Sequence, residues 1–355
     1  MPEEIANSGT SSHRIENLSY DAIKAIVKHS RVDKRERMVR SIPAIKKIDE
    51  RMPYEFSRVT YSSNFFEIVI GKTSRTWYIQ PPGNGRRRFD PEDEPDPEAL
   101  TRCTIHFTTH KYSFEHIIEK PYKVALSKVM KEYLRKGTSI EKLHVFNCAP
   151  KELDLENINL KVSNISMERP TTELFHSWLK AMDDSHPLES IKFIVGSGSN
   201  FMFKEPLVQS CKRLRLQFPY NEDNPLDDWF FDLQTQQIEV IHMNFSHEYE
   251  EKLLRKWVNY CRPLGTSFSL GVTHFTDIMD VFDLAADWFK QSVPSKLPNI
   301  TTGARHCVTI PIDEQLELVV FGEARAEQEQ WAPFQWNLRF EVMKTGTTAP
   351  KSIEK

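Results

Sequence analysis

The chain has 355 residues, of which 39% are hydrophobic and 27% charged, with a net charge of −3. This is the composition of an ordinary globular protein of one or two domains, and it excludes collagen-like, low-complexity and wholly disordered chains. The opening MPEEIANSGTSSHR has neither the basic n-region nor the apolar h-region of a secretory signal, and no stretch approaches the ~20 apolar residues of a membrane span.

The five cysteines, Cys103, Cys148, Cys211, Cys261 and Cys307, are widely spaced and odd in number. That argues against a disulfide framework and for a reducing compartment, so the expected location is cytoplasmic or nuclear, with no membrane.

Taken in chain order, residues 1–14 read as a disordered tail. A compact helical segment follows over residues 15–55. Ile23, Ile26 and Val27, then Met38, Val39 and Ile42, recur at the spacing of three and four that marks the buried stripe of short amphipathic helices. Ser19 and Asp33 are candidate caps, and Pro43 and Pro53 punctuate the later turns. From Lys24 to Arg58 there are 11 Lys and Arg against 5 Asp and Glu. Such a stretch attracts anionic partners or simply forms solvated helix faces.

Residues 56–80 read as a β-hairpin, with strands over Phe65–Ile70 and Thr76–Gln80. The next stretch, residues 81–99, concentrates proline, glycine and charge (PPGNGRRRFDPEDEPDPEA) and reads as a loop and the best candidate for a domain boundary.

From residue 100 to 343 the pattern is one of strands alternating with helices. A strand is expected at Thr101–Thr108 and a helix at Pro121–Arg135. Strands then follow at IEKLHVFNC, ESIKFIVG, CKRLRLQF, QIEVIHMNF and TSFSLGV. Helices are expected at TTELFHSWLKAMDD, PLDDWFFDLQ, SHEYEEKLLRKWVNYC and FTDIMDVFDLAADWF. Each strand carries an alternating apolar pair: Leu143 and Val145, Ile191 and Phe193, Leu214 and Leu216, Ile238 and Val240, Phe268 and Leu270. The first members of these pairs are 48, 23, 24 and 30 residues apart. This is close to the ~20–29-residue period of leucine-rich repeats, apart from one long insertion.

The expected fold is therefore α/β: a small N-terminal helical unit and hairpin, then an irregular leucine-rich-repeat-like strand–helix array. RHCVTIPIDEQLELVVFGEA and PFQWNLRFEVM supply a β-rich C-terminal cap, and residues 344–355 read as a disordered tail.

The chain has no GxxxxGK[ST], H-E-x-x-H, C-x-x-C or G-x-S-x-G. Gly196–Asn200 (GSGSN) lacks the third glycine of a dinucleotide loop and reads as an ordinary loop. His106 and His110 fall in a strand and turn, where a separation of four gives no preformed metal site. His242, His247 and Glu248 straddle a strand-to-helix junction. The adjacent pairs Asp183/Asp184 and Asp227/Asp228 lie near helix ends, where carboxylates complement the helix dipole. The cysteines read as buried structural thiols and the seven tryptophans as core. No catalytic residue, cofactor or metal ligand is assigned, and the chain is read as non-enzymatic.

The N-terminal third carries a resemblance. A Leu-x-Tyr opening at Leu18–Tyr20, a Lys-Arg turn at Lys34–Arg35, the segment Pro43–Asp49 and the hairpin Phe65–Tyr78 resemble a large nematode-expanded family of uncharacterised proteins grouped with the F-box and F-box-associated proteins. RRRFDPEDEPDPE resembles the loop that follows the hairpin in such proteins. The resemblance implies a substrate receptor: the helical segment would bind a Skp1-type adaptor of a cullin–RING ubiquitin ligase, and the repeats would hold an unknown target.

The residues that would supply the adaptor-binding face are Leu18, Tyr20, Ile23, Ile26 and Val27; the same residues could instead pack against the hairpin. An F-box ordinarily opens with Leu-Pro and an acidic residue, whereas Leu18 is followed here by Ser19 and Tyr20. Two other readings stand beside this one. The first is nucleic-acid binding through Lys24–Arg58 and Arg86–Arg88. The second is an enzyme site assembled from unpatterned loops, such as Leu153–Arg169.

Overall fold

The computed structural model describes residues 19–62, 65–71, 73–80, 100–107, 113–146, 155, 158–195, 199–218, 233–241, 247–259, 262–292, 299–302, 306–324 and 336–347. Residues 1–14, the loop 81–99, GSG at 196–198 and residues 225–232 of the helix expected at 225–234 lie outside them. So do residues 348–355 of the expected C-terminal tail. Leu233 and Gln234, the end of that expected helix, are not helical. The chain divides into two compact units, Met1–Tyr54 and Glu55–Lys355. The division falls at the end of the helical segment rather than in the proline- and charge-rich stretch.

The first unit holds α1 (Tyr20–His29), α2 (Val32–Ser41) and α3 (Pro43–Asp49). Ser19 caps α1 by accepting a hydrogen bond from the Ala22 N–H at 3.2 Å, as its position before the apolar stripe predicts. Pro43 opens α3 at a position where its missing N–H costs nothing. Val27, Ile45, Ile48 and Met52 form the core, with Ile23, Met38, Val39 and Ile42 packed around them.

A core this small is supplemented by a buried ion pair. Arg35 Nε donates to Asp49 Oδ1, and both residues are 3% exposed. Arg35 Nη2 also donates to the carbonyls of Asp49 at 3.1 Å and Met52 at 2.7 Å, and Nη1 donates to that of Pro53 at 3.2 Å. The guanidinium stacks 4.0 Å from the centre of the Tyr54 ring. The Lys34–Arg35 pair, expected in a turn, lies inside α2, and Arg35 there meets Asp49 at the end of α3.

The second unit is built on a fifteen-stranded sheet of order β12-β13-β14-β15-β11-β10-β9-β8-β7-β6-β1-β2-β3-β4-β5. Its strands are β1 (Glu55–Tyr61), β2 (Phe65–Ile70), β3 (Thr73–Gln80), β4 (Leu100–Phe107), β5 (Ser113–Pro121), β6 (Ser139–Phe146), β7 (Lys161–Glu168) and β8 (Ser190–Ile194). They continue with β9 (Arg213–Gln217), β10 (Gln237–Ile241), β11 (Ser267–Val272), β12 (Asn299–Thr302), β13 (His306–Pro311), β14 (Leu316–Ala324) and β15 (Trp336–Lys344). The helices are α4 (Tyr122–Tyr133), α5 (Thr172–Ala181), α6 (Pro206–Ser210), α7 (His247–Asn259) and α8 (Phe275–Ser292).

The class is mixed α/β, as expected, and two expectations are corrected. The hairpin is not a separate piece: β1 pairs in parallel with β6, so β1–β5 extend the same sheet as the array. The long insertion also contains a repeat. Strand β7 runs parallel between β6 and β8. It places Ile165 22 residues after Leu143 and 26 before Ile191, so the interval of 48 is two ordinary repeats.

Seven parallel strands, β1 and β6–β11, are in common register. Val59, Leu143, Ile165, Ile191, Leu214, Ile238 and Phe268 lie side by side across them, each at most 3% exposed. Two residues on, Tyr61, Val145, Met167, Phe193, Leu216, Val240 and Leu270 form a second buried row. Three residues before the first row sit Phe56, Ile140, Val162, Leu188, Cys211 and Thr235, all buried. This is the L-x-x-L-x-L spacing of a leucine-rich repeat. Where it departs to Cys211 and Thr235, the two polar groups share an acceptor: the Sγ–H and the Oγ1–H both donate to the Val208 carbonyl, at 3.0 and 3.1 Å.

The helices bury this face. Trp178 and Phe175 of α5 meet Tyr61 and Phe193 at ring separations of 6.0 and 5.7 Å. Trp257 of α7 lies 6.0 Å from Phe268 and 6.1 Å from Phe340 of β15. Tyr133 of α4 packs 4.9 Å from Trp77. The antiparallel strands continue the rows, with Phe340 opposite Phe268 and Val320 opposite Phe340. β15 thereby closes the parallel edge, which is the role expected of a C-terminal cap. At Gly322 of β14 an added Cβ would meet the Ile278 Cδ1 of α8 at 2.8 Å and its Cγ2 at 3.2 Å, so helix and strand approach closely there and the Ile278 side chain would have to shift.

Replacing Arg35 by methionine leaves Asp49 buried without its cation, and the expected cost to the helical unit is about 3–5 kcal/mol. The double variant Arg35→Met/Asp49→Leu should recover most of it. Amide hydrogen exchange of α1–α3 in the full chain reads both outcomes.

Candidate functional site

The sheet alternates, so the residues between the buried rows point to the opposite face. In β6 these are Lys142, His144 and Phe146; in β7, Asn164, Ser166 and Glu168; in β8, Ser190, Lys192 and Ile194; in β9, Arg213, Arg215 and Gln217. Gln237, Glu239, Ser267 and Ser269 continue the rows, followed by Glu341, Arg339 and Asn337 on β15. All of these residues are half-buried or exposed. Among the described residues, the ring contacts of α4, α5, α7 and α8 go to the other face.

The polar face is tied together across strands. Arg215 Nε lies 3.3 Å from Glu239 Oε2, and Arg213 Nε donates to Gln237 Oε1 at 3.0 Å. Arg339 Nη1 donates to Glu323 at 3.0 Å and Nη2 lies 3.9 Å from Glu341. The Ser190 hydroxyl donates to Asn164 Oδ1 at 2.5 Å, and Arg58 Nη2 donates to Glu67 Oε2 at 3.2 Å. A polar depression of about 320 Å³ lies between β9 and β14, lined by residues including Arg213, Gln237, Glu239, Ser269, Glu323 and Arg339. At the other end Phe65 packs 6.0 Å from Tyr78 and 6.3 Å from Phe146, forming a half-exposed aromatic trio beside the cations. The His144 imidazole has its pKa lowered, first by burial and then by Arg58, Lys192 and Lys142, so it is neutral at neutral pH.

The five residues expected to form an adaptor-binding face separate in the structure. Val27 is fully buried and Ile23 packs around the helical core, so Val27 holds the unit together rather than docking a partner. Tyr20 and Ile26 are 56% and 45% exposed. Leu18 lies outside the described residues, as do Arg86–Arg88, His110, His242, Asp227 and Asp228 and the side chains of His106, His247 and Glu248. Asp183 is not half of a dyad: it accepts hydrogen bonds from the Ser185 N–H at 3.0 Å and hydroxyl at 2.6 Å. These bonds hold its carboxyl below the usual range. Among the described residues, no group of three or more His, Cys, Asp or Glu is placed to hold a metal ion, and no helix is long and apolar enough to cross a membrane.

The polar face could not be assembled from the sequence, because its members are spread from Arg58 to Glu341. The available signal was the polar composition of the positions between the apolar pairs.

Cys211 and Cys307 are free and buried. Burial pushes the Cys211 thiol up to about 12, and the thiolate is the nucleophile, so Cys211 should resist iodoacetamide in the folded chain and react on unfolding. Peptide mass mapping distinguishes the two cases. Because the unfolded thiol ionises first, its contribution to stability should fall as pH rises above about 9.

No curated protein and no solved structure matches the chain. Residues 121–274 match the family model described as a domain of unknown function (DUF3557). That span runs from α4 through β11.

Proposed function

We propose that this chain is a non-catalytic protein-interaction protein that holds a partner on the open face of its parallel sheet. The observation that carries this reading is the face itself. Across seven strands in common register it is lined mainly by polar and charged side chains, while the opposite face is packed with apolar residues and helices. Repeats that share one core leave their strand faces free for recognition, and the binding surface grows with the number of units.

The finer reading is a substrate receptor of the F-box type. In it, residues 20–54 form a docking module for a Skp1-type ligase adaptor and the sheet holds the target. Tyr20 and Ile26 support this, since a small unit that encloses its own core still leaves two large apolar side chains outside.

Affinity purification of the tagged full chain tests both parts. The pair Ser166→Trp/Ser269→Trp, which obstructs the open face, should abolish target recovery and leave the adaptor bound. The pair Tyr20→Ala/Ile26→Asp should do the reverse. If neither pair alters the set of recovered proteins, both readings are wrong.

A further inference from the structure

Resting on the reading of the open face as a recognition surface, the inference concerns the chemistry of what it holds. The centre of that face, on β7 and β8, is a floor of small polar side chains, Asn164, Ser166 and Ser190, with Asn164 and Ser190 locked by their mutual hydrogen bond. Longer cations stand around it. Lys142 and His144 occupy the neighbouring positions on β6, Lys192 follows Ser166 in its row, and Arg213 follows Ser190. Among the described residues, the carboxylates of this region are Glu141, exposed and 3.8 Å from Lys142, Glu67, engaged by Arg58 and Thr60, Glu168, beside Phe146 at the end of β7, and Glu239, engaged by Arg215.

The field at the His144 ring is positive, because the three cations around it outweigh Glu67. This occurs in a chain whose net charge is −3. Beside the basic floor, and on the same face, stands the aromatic trio Phe65, Tyr78 and Phe146.

We infer that this surface takes an extended acidic peptide segment of a protein partner: its carboxylates meet Lys142, Lys192 and Arg213, and one bulky apolar side chain rests on Phe65, Tyr78 and Phe146. The charge and shape of the surface select this occupant. A depressed floor of short side chains admits a peptide backbone, the cations reward carboxylates, and a tilted aromatic cluster gives a single anchor rather than a row of stacking platforms such as a nucleic acid needs.

The test uses the full chain and three labelled probes of equal length: a glutamate-rich peptide with one phenylalanine, the same peptide with lysine for glutamate, and oligothymidylate. Fluorescence anisotropy at low salt should show binding of the glutamate peptide alone, weakening as salt rises. Lys192→Glu/Arg213→Glu should weaken it about tenfold or more, and Phe65→Ala should weaken it at all salt concentrations. Lys28→Glu, a charge reversal on the exposed surface of the helical unit, should have no effect.

Lys192→Gln/Arg213→Gln, with thermal melts of every variant, separates lost binding from lost folding. Absence of binding, equal loss in Lys28→Glu, or tighter binding of oligothymidylate overturns the inference. If the glutamate peptide fails to bind but Ser166→Trp/Ser269→Trp still abolishes target recovery, the recognition surface stands and its acidic specificity is wrong.

Discussion

The second unit depends on the lateral register of its parallel strands. Side chains alternate along a strand, so displacing one strand by a single residue would carry its apolar set to solvent and bring its charges into the core. In β9, for example, Leu214 and Leu216 would exchange faces with Arg213 and Arg215. Each strand is fixed by two neighbours at once, and no strand–helix pair could bury its own apolar side alone. The stability of the sheet is thus collective, and the helices complete it by laying Trp178, Phe175 and Trp257 over the same rows.

The helical unit meets the problem of burial differently. With few apolar residues, it threads the polar Arg35 through its interior and satisfies the guanidinium with a carboxylate, three carbonyls and a ring face. Such an arrangement specifies one packing rather than adding much net stability, since a buried pair recovers little beyond its own desolvation. The two units therefore rest on opposite devices, a long apolar register and a single charged clasp.

The alternating apolar pairs made most of the array legible in the sequence, because their period of two and their spacing leave few other folds. Strand β7 was missed for a physical reason. In KVSNISME the buried residues Val162, Ile165 and Met167 are separated by two serines and an asparagine and flanked by lysine and glutamate, so the segment reads as a polar loop until its neighbours are in place. The leading position of each repeat was hidden where it becomes Cys211 or Thr235, since neither announces a core site. The candidate surface was the least legible part. Lys142, Lys192 and Arg213 are unremarkable on their own strands, and only the parallel pairing makes them neighbours.

The placement of β15 has a consequence for how the chain is made. β11 ends the parallel series at Val272, yet the strand that covers its free edge begins only at Trp336, after α8 and β12–β14. During synthesis, a hydrogen-bonding edge carrying Phe268 and Leu270 thus emerges well before its partner. An unpaired edge of this kind can template pairing between chains, and the pairing of β15 with β11 ends that exposure.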